Sequence, residues 1–299
     1  MAGSGPGAKR PAANFSCHGF PAGGFKLNQT LPPPPVPPKK ARPAGTPEAL
    51  CAQVAGFSNV RKLGEAALIG PGFTNISATI QGYEIIPAGR CVNHGGCPRP
   101  ENYFQARNAG KLLYHGRHQF PPATATLLAF GFMLVTATLQ LTQLGTLNAY
   151  AVGPDLGGDC PPSSVACLTT VTTLYSRVSL RVSDVRINGV PFDVGPGCRT
   201  VSPFVIKLVG RSPTYTIQGG GELVGTATIP PFTGCGVGEN VDSLFTASVS
   251  GAGNGVLLTQ GAPCFEDGGY GCPPCTPIPH RGVNLHPVCQ PQGTPAGKP

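Results

Sequence analysis

Residues Gln119–Pro154, QFPPATATLLAFGFMLVTATLQLTQLGTLNAYAVGP, contain no Asp, Glu, Lys, Arg or His. A membrane helix needs about 20 consecutive apolar residues, so length alone admits one. The order of the residues argues for sheet instead. Every second residue from Ala125 to Leu141 is apolar, and the intervening set is polar at both ends. A period of two sends alternate side chains to opposite faces of a sheet, whereas a helix mixes the two sets around its circumference. The segment is too long for one strand of about 3–10 residues. It predicts strands near Thr124–Phe130 and Thr136–Gln143, a bend around Gly131–Leu134, and a third strand near Thr146–Val152. No transmembrane helix is expected.

Composition extends this to the whole chain. Of 299 residues, 43 are Gly and 35 Pro, and only 11% are charged. Long helices need runs of Ala, Leu, Glu, Lys and Arg with few Gly or Pro, and almost no window offers one. Turn residues at short intervals among Thr and Val point to an all-β domain. Net charge is +8, with +9 in the first 118 residues and −1 in the rest. The basic charges are dispersed with few aromatics between them, so a solvated arm is expected and no specific nucleic-acid site.

The expected organisation has three parts. Residues 1–45 form a disordered basic arm, whose LPPPPVPPKKARPAG reads as a stiff polyproline II spacer. Residues 46–264 form the β domain, with its core in 119–264. Residues 265–299 form a disordered tail rich in Cys and Pro. Thr46 and Pro47 read as the start of a short helix ending near Gly56. Gly72–Arg90 reads as two short strands around Gln81–Gly82, and Lys111–Gln119 as another. In YSRVSLRVSDVRINGVPFDVG, Val178, Leu180 and Val182 alternate with Arg177, Ser179, Arg181 and Ser183. Asn188-Gly189 then separates two such runs, the strongest short hairpin signal. Further strands fit Pro203–Gly210, Pro213–Gln218, Glu222–Pro230, Leu244–Gly251 and Gly255–Gln260. Their number and spacing predict a two-sheet antiparallel β-sandwich or a barrel.

Twelve cysteines in such a chain point to disulfides and an oxidising compartment. The start, MAGSGPGAKRPAANFSCHGF, carries no apolar export segment after Lys9 and Arg10. A secreted or cell-wall protein is still expected, with a misplaced start, a missing leader or another export route. Cys198 and Cys235 each lie in a Gly-rich connection beside a strand, and a bridge between them is expected. Cys160 with Cys167 and Cys91 with Cys97 enclose short loops and are further disulfide candidates.

GFMLVTATLQLTQLGTLN, VSDVRINGVPFDVGPGCRTVSPF, YTIQGGGEL, IPPFTGCGVGENVDSLFTASVSGAGN and LTQGAPC resemble secreted β-rich proteins of unknown function from Streptomyces and related actinobacteria. The resemblance spans about Thr124–Cys264 and rests on turns, cysteines and strand patterns. It implies a location and a fold but no chemistry. The resemblance implies an export signal at the start, a pattern from which the sequence as read departs, and Leu134 stands where the group's pattern implies Pro.

No catalytic constellation emerges. CPPC at Cys272–Cys275 lacks the strand and helix that activate a redox cysteine. Cys272, Cys275, His280, His286 and Cys289 could together supply a tetrahedral zinc site, although their spacing matches no finger pattern. Cys91, His94 and Cys97 could supply three ligands, but a small disulfide loop is the simpler reading. SVSGAG lacks the first glycine of a nucleophile elbow and a helix after it. No histidine falls in 119–264. Asp184, Asp193, Glu222, Glu239 and Asp242 lie near turns, where carboxylates cap and solvate. No cofactor and no enzymatic activity are expected. Two readings remain. One is a non-enzymatic extracellular protein that binds an extracellular or cell-wall partner through loops or a sheet face. The other is a barrel-like carrier of a small apolar ligand: Phe130 and Phe132 share one face of a long strand, and a barrel could enclose a cavity. A filled core favours the first and a defined apolar cavity the second.

Overall fold

The computed structural model describes residues 48–86, 101–129, 131–154, 170–217, 219–265, 276–277 and 287–288. In chain order the strands are β1 (Glu48–Val60), β2 (Glu65–Ile86), β3 (Glu101–Leu113), β4 (Ala123–Ala129), β5 (Met133–Gln143), β6 (Leu147–Pro154), β7 (Val171–Ile187), β8 (Val190–Pro191), β9 (Arg199–Thr200), β10 (Phe204–Arg211), β11 (Tyr215–Thr216), β12 (Gly220–Ile229) and β13 (Phe232–Thr233). One helix, α1 (Asp242–Val249), precedes β14 (Gly251–Gln260) and β15 (Cys264–Phe265). The expected arm and most of the expected tail lie outside the described residues. Within the tail, β16 (Thr276–Pro277) pairs with β17 (Pro287–Val288).

Eight strands close on themselves in the order β7, β10, β12, β14, β1, β2, β3, β6 and back to β7, antiparallel throughout. Of the two expected architectures, these pairings make the barrel. The strand that permits closure is β7. Its first half pairs with β6 on one edge and β10 on the other, from Val171 to Val178. Its second half pairs with β5, from Val178 to Ile187, and β5 in turn carries β4. The barrel therefore has two tiers. In the lower tier β3 and β6 complete the wall between β2 and β7. In the upper tier the β4–β5 hairpin takes their place, and among the described residues β4 hydrogen-bonds to β5 and not to β2. Where the partner changes, the buried Gln143 side chain stands in for a strand. Its Oε1 accepts from Leu112 N at 2.6 Å and its Nε2 donates to Gly110 O at 3.0 Å.

Alternation on β7 sets the inward face. Val178, Leu180 and Val182 are buried between the exposed Arg177 and Arg181. At Asp184 the backbone takes φ +50° and the register with β5 slips between Thr136 and Thr138. This bulge returns Val185 to the interior. The expected hairpin follows, with φ of +49° at Asn188 and +83° at Gly189. Asn188 N donates to Leu134 O at 2.7 Å and Leu134 N to Asn188 Oδ1 at 3.2 Å, tying this turn to the β4–β5 turn.

Four expectations of local structure are corrected. The helix expected over Thr46–Gly56 is strand β1 from Glu48, because β2 pairs along one edge while β15 and β14 pair with parts of the other. Gly72–Arg90, expected as two strands, contributes to the single strand β2. Gln81 and Gly82 pair with Gln105 and Phe104 of β3, so a continuous partner carries the chain through the expected turn. Leu244–Gly251, expected as a strand, supplies most of α1. Its apolar residues lie together on one helical face that packs over the barrel interior. Lys111–Gln119 is strand only to Leu113, where Tyr114 and Arg117 close a turn.

Candidate functional site: two chambers in one barrel

The upper tier encloses a cavity of about 130 Å³. Its wall includes Leu127, Ala129, Val135 and Ala137, from the uniformly apolar alternate set of the uncharged segment, and is completed by β7, β10, β12, β14 and the β1–β2 hairpin. Among the described residues, Ser58 and Ser248 are the only polar side chains in the wall, and no Asp, Glu, Lys, Arg or His lines it. Ser248 Oγ donates to Leu244 O at 2.9 Å, so this hydroxyl is already partnered. Small side chains facing inward, notably Ala67, Ala129, Ala137 and Ala227, leave the volume open.

α1 closes the top. Leu244, Phe245, Ser248 and Val249 line the cavity, a spacing that places them on one side of the helix. Several contacts hold the helix in place. Cys235 N donates to Asp242 Oδ1 at 2.7 Å, and Phe232 N donates to Thr246 Oγ1 at 2.9 Å. Lys62 Nζ, from the β1–β2 turn, donates to Ala247 O at 3.1 Å, a cation at the helix C-terminus. The Cys198–Cys235 disulfide joins the connection before β9 to the one after β13, and its Cα atoms are 4.1 Å apart. The mouth beside this lid is apolar too, with Leu68 of β2 lining the cavity while 59% exposed.

A second cavity of about 60 Å³ lies in the lower tier and receives side chains from all eight barrel strands. Phe120 and Ile206 line both cavities, so the two chambers meet across the Phe120 ring. The ring sits against Gly72, where any Cβ would stand 3.1 Å from Phe120 Cδ1. The lower chamber is more polar, with Thr74, Asn108, Ser176, Tyr215 and Gln260 among its lining. Tyr215 donates its hydroxyl to Gln260 Oε1 at 3.0 Å, and burial raises its phenol above the ordinary range. Asn108 Oδ1 and Ser176 Oγ are buried with no hydrogen-bond partner.

The sequence-predicted residues fall as follows. Cys198 and Cys235 form the expected bridge. Cys91, Cys97, Cys160 and Cys167 lie outside the described residues, as do Cys272, Cys275, His280, His286 and Cys289. Cys51 is a free, buried thiol, with Cys264 opposite it in register. Among the described residues no cluster of three or more His, Cys, Asp or Glu side chains could hold a metal ion, and no helix is long and apolar enough to cross a membrane. None of the five carboxylates lines either chamber. Asp193 accepts from Gly195 N at 2.9 Å and Asp184 from Ser183 Oγ at 3.0 Å, both at the surface. Phe132, expected to share one face of a long strand with Phe130, sits in the β4–β5 turn at 79% exposure, because the turn reverses the chain there. Phe130 lies outside the described residues. The Asn108 and Ser176 pair was missed, since neither residue stands out in its strand. Comparison with family models, with curated proteins and with solved structures finds no match to this chain.

Proposed function

We propose that this chain is an extracellular, disulfide-stabilised binding protein whose barrel takes a small apolar molecule in its upper chamber. The observation that carries this reading is the cavity of about 130 Å³ with an almost wholly hydrocarbon wall. A void of that volume in a packed interior costs about 3 kcal/mol, at about 24 cal/mol per Å³. Larger inward side chains at Ala129, Ala137 or Ala227 would remove that cost, and the sequence keeps them small. An apolar ligand recovers the lost contacts. A dry, engineered cavity of roughly 150 Å³ holds benzene, which sets the size of molecule expected here. A wall with no charged side chain supports binding rather than acid–base chemistry. The disulfide and the resemblance to secreted actinobacterial proteins support the extracellular location.

The test is a titration of the isotopically labelled, oxidised full chain with ethylbenzene, followed by two-dimensional NMR. Saturable shifts centred on Ala137, Ala227, Ile229 and Val249 are expected. Ala137→Leu, which fills the chamber, should abolish them while leaving the rest of the spectrum in place. A folded protein showing no saturable shift up to the solubility of ethylbenzene would refute the reading.

A further inference from the structure

The lower chamber specifies a second part of the ligand. Among the described residues, Asn108 Oδ1 and Ser176 Oγ are the buried, unpartnered polar atoms that line a cavity, and both line the same one. Asn108 is 3% exposed and Ser176 8%. They stand on β3 and β7, on opposite sides of β6 in the barrel wall. A buried polar atom without a partner is costly, so such atoms in a cavity are ordinarily matched by a water or by a ligand group. The other hydrogen-bonding groups nearby are already engaged, Tyr215 with Gln260 and Gln260 with Ile217 O. No Asp, Glu, Lys, Arg or His among the described residues lines this chamber or the one above it. An ionised head group would therefore be buried without a counter-charge, at prohibitive cost.

We propose that the barrel's ligand is a neutral amphiphile, with an apolar body in the upper chamber and an uncharged hydroxyl-type head in the lower chamber against Asn108 and Ser176. This rests on the reading of the upper chamber as an apolar binding site. Asn108 offers an acceptor and Ser176 both an acceptor and a donor, so a hydroxyl, itself donor and acceptor, suits either residue. The ligand would span the boundary where Phe120 and Ile206 line both chambers.

The experiment compares ethylbenzene, 2-phenylethanol and phenylacetate on the oxidised full chain at neutral pH, by the same NMR titration. The alcohol is expected to bind about tenfold more tightly than ethylbenzene, the size of one well-made buried hydrogen bond. It should also shift the amide resonances of Asn108 and Ser176. Phenylacetate should bind more weakly than either. Ser176→Ala should reduce the alcohol's preference to about threefold or less and leave ethylbenzene affinity unchanged. Equal affinities for ethylbenzene and the alcohol would overturn the proposal and leave the lower chamber to a resident water, with the apolar site intact. Tighter binding of phenylacetate would overturn it in favour of a charged ligand. Absence of binding by ethylbenzene and the alcohol alike would overturn both the proposal and the reading beneath it.

Discussion

Burial holds the Tyr215 phenol above its ordinary range while its hydroxyl donates to Gln260 Oε1 at 3.0 Å. The folded protein thus keeps this proton at pH values where the unfolded chain, titrating near about pH 10, has lost it. Below that pH the contribution is fully present, and above it stability falls as pH rises. Urea unfolding at neutral and strongly alkaline pH should show this loss. Tyr215→Phe should flatten it, at a cost of about 1 kcal/mol near neutrality from the lost hydrogen bond. Glycines divide by what surrounds them. Gly189 sits at φ +83° with open space around a Cβ, so Gly189→Ala should cost about 1 kcal/mol through the backbone alone. Gly225 instead faces the Lys207 carbonyl oxygen across the β10–β12 ladder, where a Cβ has no room. Gly225→Ala should destabilise by more than Gly189→Ala, and thermal unfolding of the two variants checks the order.

Among the elements, α1 is the one on which access to the cavity depends. The Cys198–Cys235 bridge spans a sequence separation of 37 residues and anchors the segment leading into α1. The chain-entropy model gives a loop of that length about 4 kcal/mol. Replacing both cysteines by alanine should lower unfolding free energy by about that amount. It should also speed ligand exchange, measured as faster dissociation of ethylbenzene, because the connection carrying the lid is no longer tied to the strand beside it. From β4 onward the strands were largely legible in the sequence, whereas β3 was expected only from Lys111 and α1 was not expected at all. In β4 and β5 the face read as apolar from Ala125 to Leu141 supplies much of the upper chamber wall, because burial on one side of a sheet imposes a period of two directly. In α1, LFTASVSG also alternates, and over eight residues alternation and a helical stripe are hard to separate. Contacts from Lys62 and Cys235, distant in sequence or across a turn, decide in favour of helix. β1 failed in the same way, since its start carries good helix-capping residues and only pairing with β2 and β14 overrides them.

In the whole molecule, closure depends on pairings that leave no local mark. β7 meets β10 only beyond the intervening β8 and β9, β1 meets β14 from the other end of the described barrel strands, and no residue of these strands announces its partner. Barrel and sandwich therefore read alike in sequence, and with them the presence of a cavity. What the sequence does carry is the supply of inward alanines, which becomes meaningful once the wall is closed around them. The chambers were legible only to that extent, and the Asn108–Ser176 pair required the barrel to bring two strands to one interior. The most direct test is a crystal structure of the oxidised full chain under xenon pressure. Xenon should occupy the upper chamber between Ala137, Val182, Ile229 and Phe245, beneath an ordered α1 and inside a barrel closed by the β7–β10 pairing. An interior filled by repacked side chains with no xenon there, or a sheet left open between β7 and β10, would contradict an apolar-ligand barrel.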